Sequence, residues 1–141
     1  MPPQLQSPEI QAFATGIPVA LGDAGITLLI LVIGAAAYAL LTPHREITLI
    51  RDGNTAAALS LGGVLIGLAI PLAASLSASN SKLEIAIWGV MIISVQLLVF
   101  RIIDLLLHGL PQRIQDGEIS AATLLVGAKI GSALILAAAM R

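Results

Sequence analysis

The sequence predicts an all-α membrane protein whose four transmembrane helices arise from a parallel duplication of a two-helix unit. Three observations carry this expectation. The 141 residues are 57% hydrophobic and only 11% charged, with a mean hydropathy of +0.99, whereas a soluble domain is about a quarter charged. Four apolar segments approach the roughly 20 residues needed to cross about 30 Å of hydrocarbon. The stretch 50–76 also returns 64 positions later at 114–140, with 13 of 27 aligned residues identical. Chance would match about one in ten.

Composition excludes several functions. A net charge of −1 leaves no basic face for nucleic acid. Without cysteine there are neither disulfides nor thiolate metal sites, and two histidines among eight scattered carboxylates argue against a metal centre. No nucleophile–base pair, Gly-rich phosphate loop or paired carboxylates occur within a span, so the chain reads as a non-enzyme without a cofactor.

The elements follow in order. Residues 1–23 are expected to form an extracytoplasmic tail. They contain no Lys or Arg before residue 23 and no signal-peptide pattern, and Pro2, Pro3, Pro8 and Pro18 predict an extended or turned segment. The transmembrane domain covers 24–141. Its first unit (about 24–78) holds spans at 24–41 and 55–76; the second (about 85–141) holds spans at 85–107 and 119–140. None has the polar stripe of a soluble bundle helix. Two crossings per unit return the chain to its starting side, so the repeat is parallel, with its pseudo-axis along the membrane normal.

The loops at 42–54 and 108–118 carry Arg45, Arg51 and Arg113, whereas the opposite side has Lys82 and Arg141. The positive-inside tendency then places both loops in the cytoplasm and both termini outside. His44 aligns with His108, Asp52 with Asp116, and Gly53 with Gly117. The two glycines are expected to supply positive-φ turns, with Asn54 or Thr55, and Ser120, as helix N-caps. Ile47, Leu49 and Ile50 alternate with polar neighbours, as in a segment lying in the interface.

Few residues stand out as functional. Gly63 and Gly67 in the second span, and Gly127 and Gly131 in the fourth, form two equivalent Gly-x-x-x-Gly motifs. Such motifs let a neighbouring backbone approach closely, within one chain or between chains. Replacing Gly67 or Gly131 by Ile is expected to disrupt packing. Lys129 sits inside the second motif near mid-membrane, where the first repeat has Leu65. A central charge costs about 2.5–3.5 kcal/mol on insertion scales, so it needs a polar interior or a partner. Gln96, at a compatible depth in the third span, is the expected acceptor. Together they form either a polar pathway or a contact that locks helices.

Arg101, Asp104 and His108 share one face of the third span at spacings of three and four. They read as a snorkelling cluster at the cytoplasmic end, with a pH-sensitive gate as the sharper alternative. Pro71 is expected to kink the second span. Tyr38 and Trp88 suit interfacial anchors.

Linked motifs then become familiar: Thr42-Pro43-His44, Ile50, Asn54-Thr55-Ala56-Ala57, Gly63, Gly67, Ile70-Pro71-Leu72, Trp88-Gly89 and Gln96-Leu97-Leu98-Val99-Phe100. Over roughly 24–140 the chain resembles the YjfL-like family of bacterial inner-membrane proteins, domain of unknown function 350. The resemblance implies a duplicated four-helix protein of the plasma membrane and no established activity. Two departures stand out: Leu136 where the family usually has Asn, and Lys129 where a small or apolar residue is expected.

Two functions fit these residues. One is a self-associating bundle, or a small subunit of a membrane complex, in contact with lipid and packed through its glycine faces. The other is an oligomeric ion or small-solute channel lined by Lys129 and Gln96, where a cationic ring would favour anions.

Overall fold

The computed structural model describes residues 7–42 and 46–140, and all regular structure among them is helical. Six helices follow in order: α1 (Pro8–Leu41), α2 (Glu46–Arg51), α3 (Thr55–Ala78), α4 (Lys82–Leu106), α5 (Leu110–Gln115) and α6 (Ile119–Ala139). The four long helices are each long and apolar enough to cross a membrane. The short ones, α2 and α5, occupy the two loops. The alternating segment around Ile47–Ile50 is therefore helical, with Leu49 and Ile50 packed on the core and Ile47 exposed.

The first helix corrects one expectation. It begins at Pro8, where proline's fixed φ and missing N–H suit the first helical turn. Ser7 caps it, its Oγ accepting from the Ile10 N–H at 3.3 Å. Residues 8–23 are thus helical rather than extended, and Pro18 lies inside an exposed stretch of the helix.

Two pairs of long helices run parallel in steady register. Between α1 and α4, Asp23 pairs with Lys82 at 3.0 Å, a Cβ on Gly89 would meet Ile30, and one on Gly34 would meet Ile93. Each pair is 59 positions apart. Between α3 and α6, Gly63 faces Val126 and Gly67 faces the Lys129 carbonyl. This pair forms the most extensive helix contact, and α3 is the most buried span. Because α4 starts beside Asp23, residues 8–22 of α1 extend about 20 Å beyond it at 1.5 Å per residue.

The core has two tiers. Near the loops, Ala56 and Ala57 of α3 and Ala121, Ala122 and Leu125 of α6 enclose Ile114. Deeper, Tyr38, Val64, Leu68 and Phe100 cluster together. The loop tier is fastened by Asn54. Its Oδ1 accepts from the Ala57 N–H at 3.0 Å, capping α3. Its Nδ2 donates to the carbonyls of Ile114 and Gln115, both at 3.1 Å, closing the end of α5. Gly53 and Gly117 adopt φ of 88° and 87°, as the Asp-Gly turns require. The cap of α6 is Glu118, without a side-chain hydrogen bond; Ser120 lies inside the helix. The Glu118 carboxylate pairs instead with Arg113.

Candidate functional site

The site is assembled from all four spans where they meet inside the bundle. Gly63 and Gly67 bring α3 close to its neighbours. A Cβ on Gly63 would lie 2.5 Å from Val126 Cγ2, and one on Gly67 would lie 2.8 Å from Phe100 Cζ. No real Cβ fits at such distances. These glycines therefore pack helices inside the chain by close approach and dispersion.

Pro71 completes the arrangement. It lacks the N–H that would bond the Gly67 carbonyl four residues back. The helix continues through it to Ala78. The freed carbonyl is satisfied from outside: Gln96 Nε2 of α4 donates to it at 3.1 Å. Gln96 is fully buried, and its Oε1 has no hydrogen-bond partner among the described residues.

Lys129 does not pair with Gln96. Its ammonium lies 3.0 Å from Asp104 Oδ1 of α4 and donates to the Tyr38 hydroxyl of α1 at 2.6 Å. The ammonium sits 4.6 Å from the centroid of the Tyr38 ring and 5.5 Å from that of Phe100. The two rings meet edge to face at 6.1 Å and 88°. The ion pair is dry, its side chains 1% and 7% exposed.

This geometry follows from helix direction. Helical side chains lean toward their own N-terminus. Lys129, ten residues into α6, therefore reaches back toward the loop end, where α4 is finishing at Asp104. The charge lies at a shallower depth than its backbone. Two signals could have found the pair: an Asp inside the last turn of an apolar span, and a Lys reaching toward that same end. Sequence reasoning instead assigned Asp104 to the loop-end cluster and Tyr38 to the interface. Tyr38 is 4% exposed and belongs to the core.

The expected Arg101–Asp104–His108 cluster is thereby divided. Asp104 turns inward, Arg101 is exposed, and His108 lies beyond the end of α4, exposed in the turn before α5. Among the described residues no ion pair joins Arg101 to either of the others. Arg101 and Asp104 do line one narrow cleft with Tyr38 and Thr42 at the loop end. His44 lies outside the described residues, as do Arg45 and Arg141.

The second glycine motif differs from the first. A Cβ on Gly127 or Gly131 would meet nothing within 4 Å. Neither glycine of this motif is used for close helix approach within the chain. Trp88 is 42% exposed near the opposite end of the bundle.

Four apolar spans fastened by one buried ion pair define an integral, multi-pass membrane protein. The sequence profile of the Domain of Unknown Function (DUF350) family matches residues 12–140, and the chain belongs to that family. It is similar to the UPF0719 inner membrane protein YjfL of Escherichia coli strain K12 and to its counterpart in Escherichia coli O157:H7. Each is 33% identical over 103 residues, covering 73% of this chain and 78% of the relative. No solved structure matches the chain. The protein is thus a multi-pass inner-membrane protein in contact with lipid, from a family of unknown function.

Proposed function

We propose that the chain is a non-catalytic, self-associating inner-membrane bundle, or a small subunit of a larger membrane complex, with both termini outside the cytoplasm. Its docking face is the Gly127–Gly131 side of α6. The observation that carries this reading is the contrast between equivalent motifs: Gly63 and Gly67 are filled by Val126 and Phe100, whereas Gly127 and Gly131 meet open space. A descent from a duplicated two-span unit fits the order span, short helix, span, repeated once, and the parallel pairing of α1 with α4 and α3 with α6.

A second reading, an oligomeric ion or small-solute pathway past Lys129 and Gln96, has its own support. Two buried polar atoms at different depths, Ser75 Oγ and Gln96 Oε1, have no hydrogen-bond partner among the described residues. A pathway would need water or solute to bridge them.

The chain has no cysteine, so a single Gly127→Cys or Gly131→Cys variant reports proximity cleanly. Oxidation in native membranes is expected to give a disulfide-linked dimer from these variants and none from Val90→Cys on exposed α4. Equal crosslinking at all three positions, or none at any, overturns the docking face. Reconstituted liposomes then separate the readings. Ion flux that changes selectivity in a well-folded Lys129→Met variant favours the pathway, and no flux from either protein favours the bundle.

A further inference from the structure

At the end of the bundle opposite the loops, α3, α4 and α6 diverge around a cleft of about 140 Å³. Ser75, Ala78 and Ser79 line it from the end of α3, Glu84 and Trp88 from the first turns of α4, and Met140 from beyond α6. Its chemistry is unlike the apolar grooves elsewhere on the spans. The Glu84 carboxylate is half-buried and has no cationic partner among the described residues. Lys82, the adjacent cation, is turned away to Asp23. Ser75 is 4% exposed, yet its hydroxyl has no hydrogen-bond partner among the described residues. Trp88 adds an aromatic ring, the best of the side-chain faces for a cation.

Local structure accounts for only part of this arrangement. Ser81 caps α4 by accepting from the Glu84 N–H at 3.1 Å, and Glu84 Oε2 accepts from the Asn80 N–H at 3.0 Å. These bonds fix the carboxylate in place and supply no cation to it. The Ser79 hydroxyl donates to the Ser75 carbonyl at 2.7 Å, so the usual back-bonding role at this helix end is filled by Ser79. The Ser75 hydroxyl remains unused.

We propose that this cleft binds a primary ammonium group. The carboxylate supplies the countercharge and the Ser75 and Ser79 oxygens accept N–H donors, of which an –NH₃⁺ group has three. The Trp88 ring covers one side. A quaternary ammonium has the charge without the donors and leaves Ser75 unsatisfied. The cleft lies at the level where spans meet the headgroups, so the ammonium belongs either to an aminophospholipid headgroup or to a soluble amine.

Trp88 is the sole tryptophan of the chain and therefore reports on the site directly. The full protein is reconstituted in vesicles of phosphatidylglycerol alone and titrated with ethanolamine at neutral pH while Trp88 emission is followed. A saturable change is expected with ethanolamine, at least about tenfold weaker with choline, and weakened by about tenfold or more in Glu84→Gln, as for loss of a charged hydrogen bond. Glu84→Gln keeps an acceptor for the Asn80 N–H, and Ser75→Ala is the second variant should it fold poorly. Arg141→Gln is titrated alongside, because Arg141 follows Met140 and is itself a cation.

Adding phosphatidylethanolamine to the vesicles distinguishes the sources. A headgroup site shows the emission change beforehand and ethanolamine then competes weakly, whereas a soluble-amine site responds to ethanolamine unaltered. Either result supports the ammonium site. No saturable change in the chain or in Arg141→Gln overturns it. So does an equal response to choline, or an unchanged response in both Glu84→Gln and Ser75→Ala.

Discussion

Helices α3 and α6 share a motif and differ in what surrounds it. Each has Gly-x-x-x-Gly at equivalent positions, preceded by the same Asp-Gly turn. In α3 the motif is packed by Val126 and Phe100, its carbonyl at Gly67 is freed by Pro71 and taken by Gln96, and the helix start is locked by Asn54. In α6 the glycines face open space, position 135 is Ile rather than Pro, and Glu118 caps nothing with its side chain. What α6 has instead is Lys129, which joins it to α1 and α4. The two helices pack on each other through the first motif, and a buried charge fastens α6 further, to α1 and α4. A small-residue motif therefore permits close packing and does not itself decide where that packing occurs.

The largest test removes the charge. Lys129→Met leaves Asp104 buried without its cation, and breaking such a pair costs about 3–5 kcal/mol. Thermal unfolding in detergent is expected to show that loss, and Lys129→Met/Asp104→Leu to recover most of it by removing both charges. A single variant as stable as the parent would mean that α6 is held by something other than the pair.

The glycines come next. Gly63→Ile drives a branched side chain into Val126, and overpacking of this kind costs about 1–3 kcal/mol. Gly131→Ile, in open space, is expected to change the stability of the single chain by less than about 0.5 kcal/mol, as for surface positions. The same unfolding measurement on monomeric protein in detergent compares them. Equal losses would erase the distinction between the two motifs.

The smallest effects sharpen the comparison at the helix starts. Asn54→Ala removes a cap and two bonds to α5, an expected loss of about 1–2 kcal/mol. Glu118→Ala removes only an exposed pair with Arg113, worth about 0–1 kcal/mol. Hydrogen exchange at the first turns of α3 and α6 distinguishes them, with faster exchange expected in α3 alone.

Much of the architecture was legible because hydropathy and turn chemistry are local. Four spans, two loops at one end, positive φ at Gly53 and Gly117, and the Asn54 cap each follow from a short window of residues. The 34-residue α1 was less legible: proline at the first turn favours a helix, while Pro18 within it argues against one. Membership of the family rested on linked motifs and needed no coordinates.

The sequence by itself determined that this chain has four segments long and apolar enough to cross a membrane, that a lysine falls within the fourth, and that the lysine needs a partner. These follow from transfer energies, which depend on residue type and depth alone. Only the tertiary structure decided who the partner is. Asp104 and Tyr38 are 25 and 91 positions from Lys129, and their meeting depends on which faces of α1, α4 and α6 turn inward. The glycine motifs have the same origin: the same glycine spacing became a packed seam and an open face because its neighbours differ. Interactions of this kind depend on relative rotation and register of whole helices, which no local pattern encodes.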